Sequence, residues 1–472
     1  MPEAGNFRIV AMVVAGALFM QNIDGTIVAT AVPPMARALG VKAVDMSAVI
    51  TAYVVALTVF IPISGWVADR LGAKRVFMAA VAVFTLASAL CAASHSLGQL
   101  IGARVLQGMG GAMMVPVGRL LLLRRVRREE LLTATTWFTV PALVGPVLGP
   151  PLGGLITDTL SWQYVFWINL PVGALCLLLS WRLIPPTPPV PTHAPDLVGM
   201  ALMGSALTLF MTGIETAGKG LVPPLWAAAS AALGLVLGWL TIRHCRRVPH
   251  PAVDLTLLSI PTFNASTIAG SLFRTGAGAV PFLVPITLQI GFGLSASQSG
   301  LFLLASSLGS FFMRPMTQLV LRRFSVRSSL MAGTAALAAT LCGLAICAPL
   351  SMNAPVILLL LLFNGLARSM TFAVLGALAF VDVPADRLSA ATSFQGTAQQ
   401  LPKALGVVIA AAAMQVSVSL LGHEQLGGWD FAVGYVAVAI VMATALPLFA
   451  SLSANAGEGM ASRGGVPEIK KG

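Results

Sequence analysis

The chain has 472 residues, of which 57% are hydrophobic and only 9% charged. A soluble domain carries roughly 25% charged residues, so the composition excludes a water-soluble globule and calls for an all-α polytopic membrane protein. A net charge of +12 would point to nucleic acid in a soluble protein; here the basic residues sit in alternate loops, which makes the lipid bilayer the partner and excludes nucleic acid.

Apolar spans of the length needed to cross the hydrocarbon fall near 9–30, 45–68, 76–93, 99–122, 132–157, 163–184, 197–217, 223–242, 261–289, 296–320, 328–350, 353–381, 388–421 and 431–452. Residues 9–23 followed by Ala29-Thr30-Ala31 have the outline of a secretory signal, but cleavage there would leave the spans unevenly paired. The segment is therefore read as the first of fourteen spans, with both termini on one side. Nineteen basic residues, among them Arg8, Arg70, Lys74, Arg75, Arg243 and Lys471, occupy one alternating set of loops and termini. Only Arg37, Lys42 and Lys219 occupy the other. The positive-inside rule assigns the first set, and both termini, to the cytoplasm, as in a multi-pass protein of the inner (cytoplasmic) membrane.

After the sixth span, Pro185 to Pro195 reads as a stiff proline-rich linker. It predicts an N-terminal six-helix bundle over 1–184, a linker over 185–196, and two extra transmembrane helices with a loop over 197–260. A C-terminal six-helix bundle over 261–452 and a cytoplasmic tail over 453–472 complete the division. A paired-bundle transporter places its site between the bundles near the bilayer midplane.

The fifth span carries no charge, yet it holds Pro146, Pro150, Pro151 and a four-residue repeat of Gly145, Gly149 and Gly153, with Gly154 beside it. Glycines at that spacing line one face and admit a close neighbour. The pattern predicts a kinked, tightly packed helix that seals against the second bundle, or an ordinary glycine packing seam.

Asp24 is the only carboxylate deep inside a span. A lone carboxylate in lipid costs about 2.5–3.5 kcal/mol on the insertion scale, so it should face the bundle interior, as a proton carrier or a structural hydrogen-bonding group. Arg104, Arg274, Arg368 and Lys403 also lie inside spans, and midplane cations are too far from water to snorkel cheaply. Four cations against one deep acid predict a cavity that favours negatively charged substrates. No metal or cofactor site is expected. Cys91, Cys176, Cys342 and Cys347 fall in spans and Cys245 in a loop, without ligand spacing, and the five histidines sit in loops. There is no G-x-x-x-x-G-K-[ST] phosphate cradle, so any work is driven by an ion gradient or a partner. No cluster of nucleophiles or ligands supports an enzyme.

The loop after the second span reads Gly65-Trp66-Val67-Ala68-Asp69-Arg70-Leu71-Gly72-Ala73-Lys74-Arg75. Gly65 permits close packing, Asp69 accepts charge-assisted bonds, Gly72 allows a tight turn, and Lys74 and Arg75 suit the anionic inner leaflet. This stretch resembles the signature loop of the major facilitator superfamily. Three further segments, Leu100 to Ala112 (with Arg104 and Gln107), Gly145-Pro146 to Gly154, and Ile23 to Pro33 (with Asp24), resemble motifs of its fourteen-helix drug:proton antiporters. Trp162 to Gly173 also fits that family, and Met113 to Leu120 resembles its MdtD-type branch.

The resemblance implies two six-helix bundles plus two extra central helices. It implies Asp24 as the proton-coupling residue, and a substrate cavity to which Arg104, Gln107, Arg274, Arg368 and Lys403 contribute. The expected function is a proton-coupled exporter of drugs or other small molecules. The alternatives are export of organic anions or metal–carboxylate complexes, or an uncoupled facilitator or lipid flippase; whether an adaptor protein takes part is left open. Two departures stand out. Ala29 replaces the family's usual Asn, and the counterpart loop from Arg314 to Arg327 lacks the acidic residue and the second glycine.

Overall fold

The computed structural model describes residues 7–123, 131–189, 195–217, 222–249, 251–350, 353–384, 387–422 and 425–453. Residues 190–194 of the proline-rich linker and the expected tail from 454 onward lie outside them. Among the described residues the chain is helical and contains no strand.

In chain order the helices are α1 (Phe7–Leu39), α2 (Ser47–Phe60), α3 (Ser64–Leu71), α4 (Ala73–Ala92), α5 (Leu97–Leu123), α6 (Leu131–Thr159), α7 (Tyr164–Trp167), α8 (Asn169–Leu183) and α9 (Leu197–Thr216). They continue with α10 (Pro224–Cys245), α11 (Pro261–Ile286), α12 (Ala296–Arg323), α13 (Val326–Leu350), α14 (Ala354–Leu378), α15 (Leu388–Ala398), α16 (Leu401–Leu421), α17 (Gly428–Ala443) and α18 (Ala445–Ala450). Among the described residues, twelve helical segments are long and apolar enough to cross a membrane. The two other expected spans are the 29-residue α6 and the 28-residue α12. They are not among the twelve, and α12 is the more polar, with five serines and Arg322-Arg323 at its end.

Proline sets most departures from the expected spans. The second span breaks at Ile61-Pro62-Ile63, the thirteenth at Gln399-Gln400 ahead of Pro402, and the last at Thr444 ahead of Pro447. A proline ring removes a backbone donor and clashes with the preceding turn. The segment from Gly65 to Leu71, expected as a loop, is helical, and only Gly72 turns the chain, at φ +89°. In contrast α1 runs through Pro33 and Pro34 to Leu39, nine residues past its expected end. The close of α11 winds into a π-helix over Thr287–Gly291, a form that recurs at functional sites.

Helices α1, α2, α4, α5, α6 and α8 pack together, and so do α11, α12, α13, α14, α16 and α17. The two groups meet where α6 packs on α12, α2 on α16 and α1 on α11. Helices α9 and α10 pack as a hairpin, and α9 touches both α2 and α16.

One apolar core runs through the second group and into the half of the first that includes Ile27, Met35, Val49, Leu100 and Phe166. The other half of the first group, near the Gly72 turn, has its own core of Val10, Val14, Phe77, Phe84 and Val117. A small third core of Leu257, Phe263 and Phe394 belongs to the second group alone. The largest core is thus shared by the two groups at the end away from Gly72, and a fourth small core of Met211, Ala404 and Val408, with Val54 and Val55 beside it, joins α9, α16 and α2.

Candidate functional site

The side chain of Asp24 points from α1 into the first group, where residues of four other helices form its cluster. Its Oδ2 accepts a hydrogen bond from Arg104 Nη1 on α5 at 2.7 Å. Its Oδ1 accepts from Gln107 Nε2 at 2.9 Å and from Asn169 Nδ2 on α8 at 3.0 Å. Gln107 and Asn169 both donate as well to Ser88 Oγ on α4, at 2.7 and 3.2 Å. Arg104 Nη1 also reaches Gln107 Oε1, its Nε donates to the Val49 carbonyl at 3.4 Å, and the guanidinium lies 4.2 Å from the Tyr53 ring centroid on α2. Asp24, Ser88 and Gln107 are 0% exposed, and Arg104 and Asn169 are 1% exposed.

The geometry follows from the local sequence. Gln107 lies one helical turn after Arg104, so both face α1 together. A buried charge survives only when paired and hydrogen-bonded, and here each carboxylate oxygen has a donor. Of the expected cavity residues, the structure brings Arg104 and Gln107 to Asp24. Sequence reasoning missed Ser88, Tyr53 and Asn169 as partners. Asn169 was legible as an amide inside a span whose one charge, Arg182, lies at its far end, whereas Ser88 and Tyr53 carried no signal that set them apart.

Arg274, Arg368 and Lys403 do not join this cluster. Arg274, 1% exposed, donates from Nη1 to the Ser266 carbonyl at 3.0 Å and lies 5.9 Å from the Phe372 ring centroid, while its buried Nε has no partner. Lys403 donates to Gln400 Oε1 at 3.0 Å and packs against Gly278, one turn beyond Arg274 on α11. Arg368 faces α12 instead, donating to Ser310 Oγ at 3.2 Å. Among the described residues no carboxylate lies within ion-pair distance of these three cations.

The glycine seam of α6 packs mainly on α1, inside its own group, not on the second group as expected. A Cβ on Gly145 would meet Asn22 and Ile23, one on Gly149 would meet Thr26 and Ile27, and one on Gly153 would meet Ile27 and Thr30. The matched four-residue steps mean that α1 and α6 run parallel. The adjacent face meets α12: Gly154 abuts Ala296, the Pro146 carbonyl accepts from Ser307 Oγ at 3.0 Å, and Pro150 abuts Gly300. At the end of α6, Asp158 accepts from Ala296 N at 3.3 Å and Ser297 N at 2.7 Å, capping α12. Nearby, Gln289 Nε2 donates to the Thr30 carbonyl at 2.8 Å.

In the Gly65–Arg75 segment, Arg70 lies 5.2 Å from the Trp66 ring centroid and Lys74 Nζ donates to the Trp181 carbonyl at 2.9 Å. A Cβ at Gly72 would strike the Thr187 carbonyl. Asp69 is half-buried and Gly65 and Arg75 are exposed. The turn is therefore docked on the end of α8 and the start of the linker.

Residues 14–407 match the model of the Major Facilitator Superfamily. The chain is 38% identical over 413 residues to the "Putative multidrug resistance protein MdtD" of Pectobacterium atrosepticum, covering 87% of this chain and 88% of that one. It is 36% identical over 431 residues to the protein of the same name in Salmonella paratyphi A, covering 89% and 88%. Its fold resembles the crystal structure of a D-xylose-proton symporter (TM-score 0.65, 15% identity, 92% of this chain and 97% of that one). It also resembles the POT family transporter PepTSo (TM-score 0.67, 15% identity, 96% and 99%). These two likenesses concern the fold alone. The chain belongs to the Major Facilitator Superfamily and is a multi-span membrane transporter.

Proposed function

We propose that this protein is a proton-coupled exporter of small molecules in the inner membrane, working by alternating access. Fourteen helices would span the bilayer, α6 and α12 included, with both termini cytoplasmic. The positive-inside asymmetry of the loops supports that orientation. The names of the MdtD relatives support multidrug export as the substrate range.

The observation that carries the reading is the sealed Asp24–Arg104 pair. Protonation of Asp24 removes the only carboxylate near Arg104 and leaves a buried cation without a counter-charge. That state is costly, so proton binding favours another arrangement of the surrounding helices. Asn169 prepares for the change, since its buried Oδ1 has no partner, and an amide flip turns that acceptor towards a protonated Asp24. The core that the two groups share away from Gly72 is what a transporter closed to the outside would have. In the opposite state Asp24 takes a proton from outside, and substrate leaves as the proton moves inward. Each net charge moved through 100 mV contributes about 2.3 kcal/mol.

The experiment is proton flux in proteoliposomes holding wild type or Asp24→Asn. Substrate-dependent proton movement should vanish in the variant while folding and insertion persist. Undiminished proton movement would overturn the assignment.

A further inference from the structure

The surroundings of the two most buried arginines, Arg104 and Arg274, are built differently. In the first group Arg104 has its counter-ion. In the second group Arg274 is as deeply buried as Arg104, yet it reaches only the Ser266 carbonyl of its own helix and leaves Nε without a partner. Lys403 on α16 packs against Gly278, one turn beyond Arg274 on α11, and donates to Gln400. Among the described residues three acids are committed elsewhere. Asp24 is held by Arg104, Gln107 and Asn169, Asp430 by Ser417 and Asp382 by Thr262. Among the described residues no acid pairs with either cation, and a buried charge without a counter-ion is unfavourable unless an external anion completes it.

The surroundings define the rest of the ligand. Phe273 and Phe372 meet edge to face with centroids 5.4 Å apart, and the Arg274 guanidinium sits by Phe372 and Leu375. Gln395 donates to Ser266 and Thr267 and has a buried Oε1 without a partner. Lys403 is the more exposed of the two cations. It follows the break at Gln399-Gln400, where Pro402 removes a helical donor, so the backbone beside it is already irregular. The setting is mostly aromatic and aliphatic, with a compact cationic centre.

We propose that Arg274 and Lys403 form a subsite for the carboxylate or sulfonate of a hydrophobic organic anion, with its apolar body against Phe372 and Leu375. The proposal rests on the export reading above and names the substrate class for it. Arg368, bonded to Ser310 on the α12 side, takes no part. A guanidinium with a free Nε edge suits a planar carboxylate, and Lys403 supplies a point charge on a flexible stem.

The test is equilibrium binding to purified full-length protein in lipid nanodiscs. The probes are 1-naphthoate, 1-naphthamide and 1-naphthylmethylammonium, which share one aromatic body and differ in charge. Naphthoate should bind wild type at least tenfold more tightly than the other two. Arg274→Gln and Lys403→Gln should each abolish that preference and change naphthamide affinity less than twofold, while Arg274→Lys should retain most of it. Without ligand, Arg274→Gln should melt no lower than wild type, because it removes an uncompensated buried charge. Three results would each overturn the proposal: equal affinity for naphthoate and naphthamide, no naphthoate binding at millimolar concentration, or unchanged anion preference in both glutamine variants. Binding at equilibrium needs no proton movement. A protein that binds naphthoate yet moves no protons contradicts only the export reading. One that couples protons yet shows no anion preference contradicts only this subsite.

Discussion

Arg104 Nη1 lies 2.7 Å from Asp24 Oδ2, with side-chain exposures of 2% and 0%. The pair ties α5 to α1, and through Gln107, Asn169 and Ser88 it extends to α8 and α4. Removing one partner of a buried pair typically costs about 3–5 kcal/mol, whereas replacing both with apolar groups is often neutral. Arg104→Met alone should therefore lower stability by about that much, and Arg104→Met with Asp24→Leu should recover most of it. Denaturation of the purified variants checks this, and an additive double variant would contradict it.

The α1–α6 seam should be intolerant of size. Gly149→Leu pushes its side chain into Thr26 and Ile27, and overpacking typically costs about 1–3 kcal/mol. Gly25 lies in the same part of α1 with nothing within 4 Å of an added Cβ. Gly25→Ala should therefore keep full stability and gain up to about 1 kcal/mol of helix propensity. Thermal melting of both variants measures the contrast.

Asp196 holds the start of the α9–α10 hairpin. It caps α9 through Gly199 N at 2.8 Å, accepts from His244 Nε2 at 2.7 Å and from Ala252 N at 3.2 Å. Burial pushes its carboxyl pKa up, but the bonds from Gly199, His244 and Ala252 outweigh that and hold it below the ordinary carboxylate value. A lowered folded pKa gives stability that is present above the unfolded value of about 3.9 and lost as pH falls through the folded value. Asp196→Ala should thus cost about 1 kcal/mol at neutral pH, as loss of a cap does. The difference from wild type should shrink as the pH drops below about 4, as melting curves across pH would record.

Asp158 binds the first group to the second by capping α12. Asp158→Ala should loosen that end. Spin labels at Leu160 and Leu301, both exposed, should then show a broader and longer distance distribution than in the parent. An unchanged distribution would mean that the α6–α12 packing alone holds this end.

Much of the fold was legible because hydropathy, charge asymmetry and glycine spacing are one-dimensional signals. Among the described residues, twelve of the fourteen expected spans fall in segments long and apolar enough to cross a membrane, α6 and α12 being the other two, and Asp24 stood out as a lone deep carboxylate. The breaks at Pro62 and Pro402 were visible as prolines, but whether such a residue bends or ends a helix depends on its neighbours, as the unbroken α1 through Pro33 and Pro34 shows. Pairing was not legible. Arg104 and Arg274 are both arginines inside spans, and only three-dimensional packing gives one an aspartate and leaves the other without an acid. The partner of the glycine face was likewise a tertiary choice between α1 and α12.

The central claim is that Asp24 carries the coupled proton. The most direct measurement is the lumenal pH of proteoliposomes, read by a trapped dye, after substrate is added to wild type, Asp24→Asn and Asp24→Glu. The expected result is a substrate-dependent pH change in wild type, a reduced change in Asp24→Glu and none in Asp24→Asn, with all three proteins folded and inserted at the assay temperature. A pH change in Asp24→Asn equal to that of wild type would contradict the account.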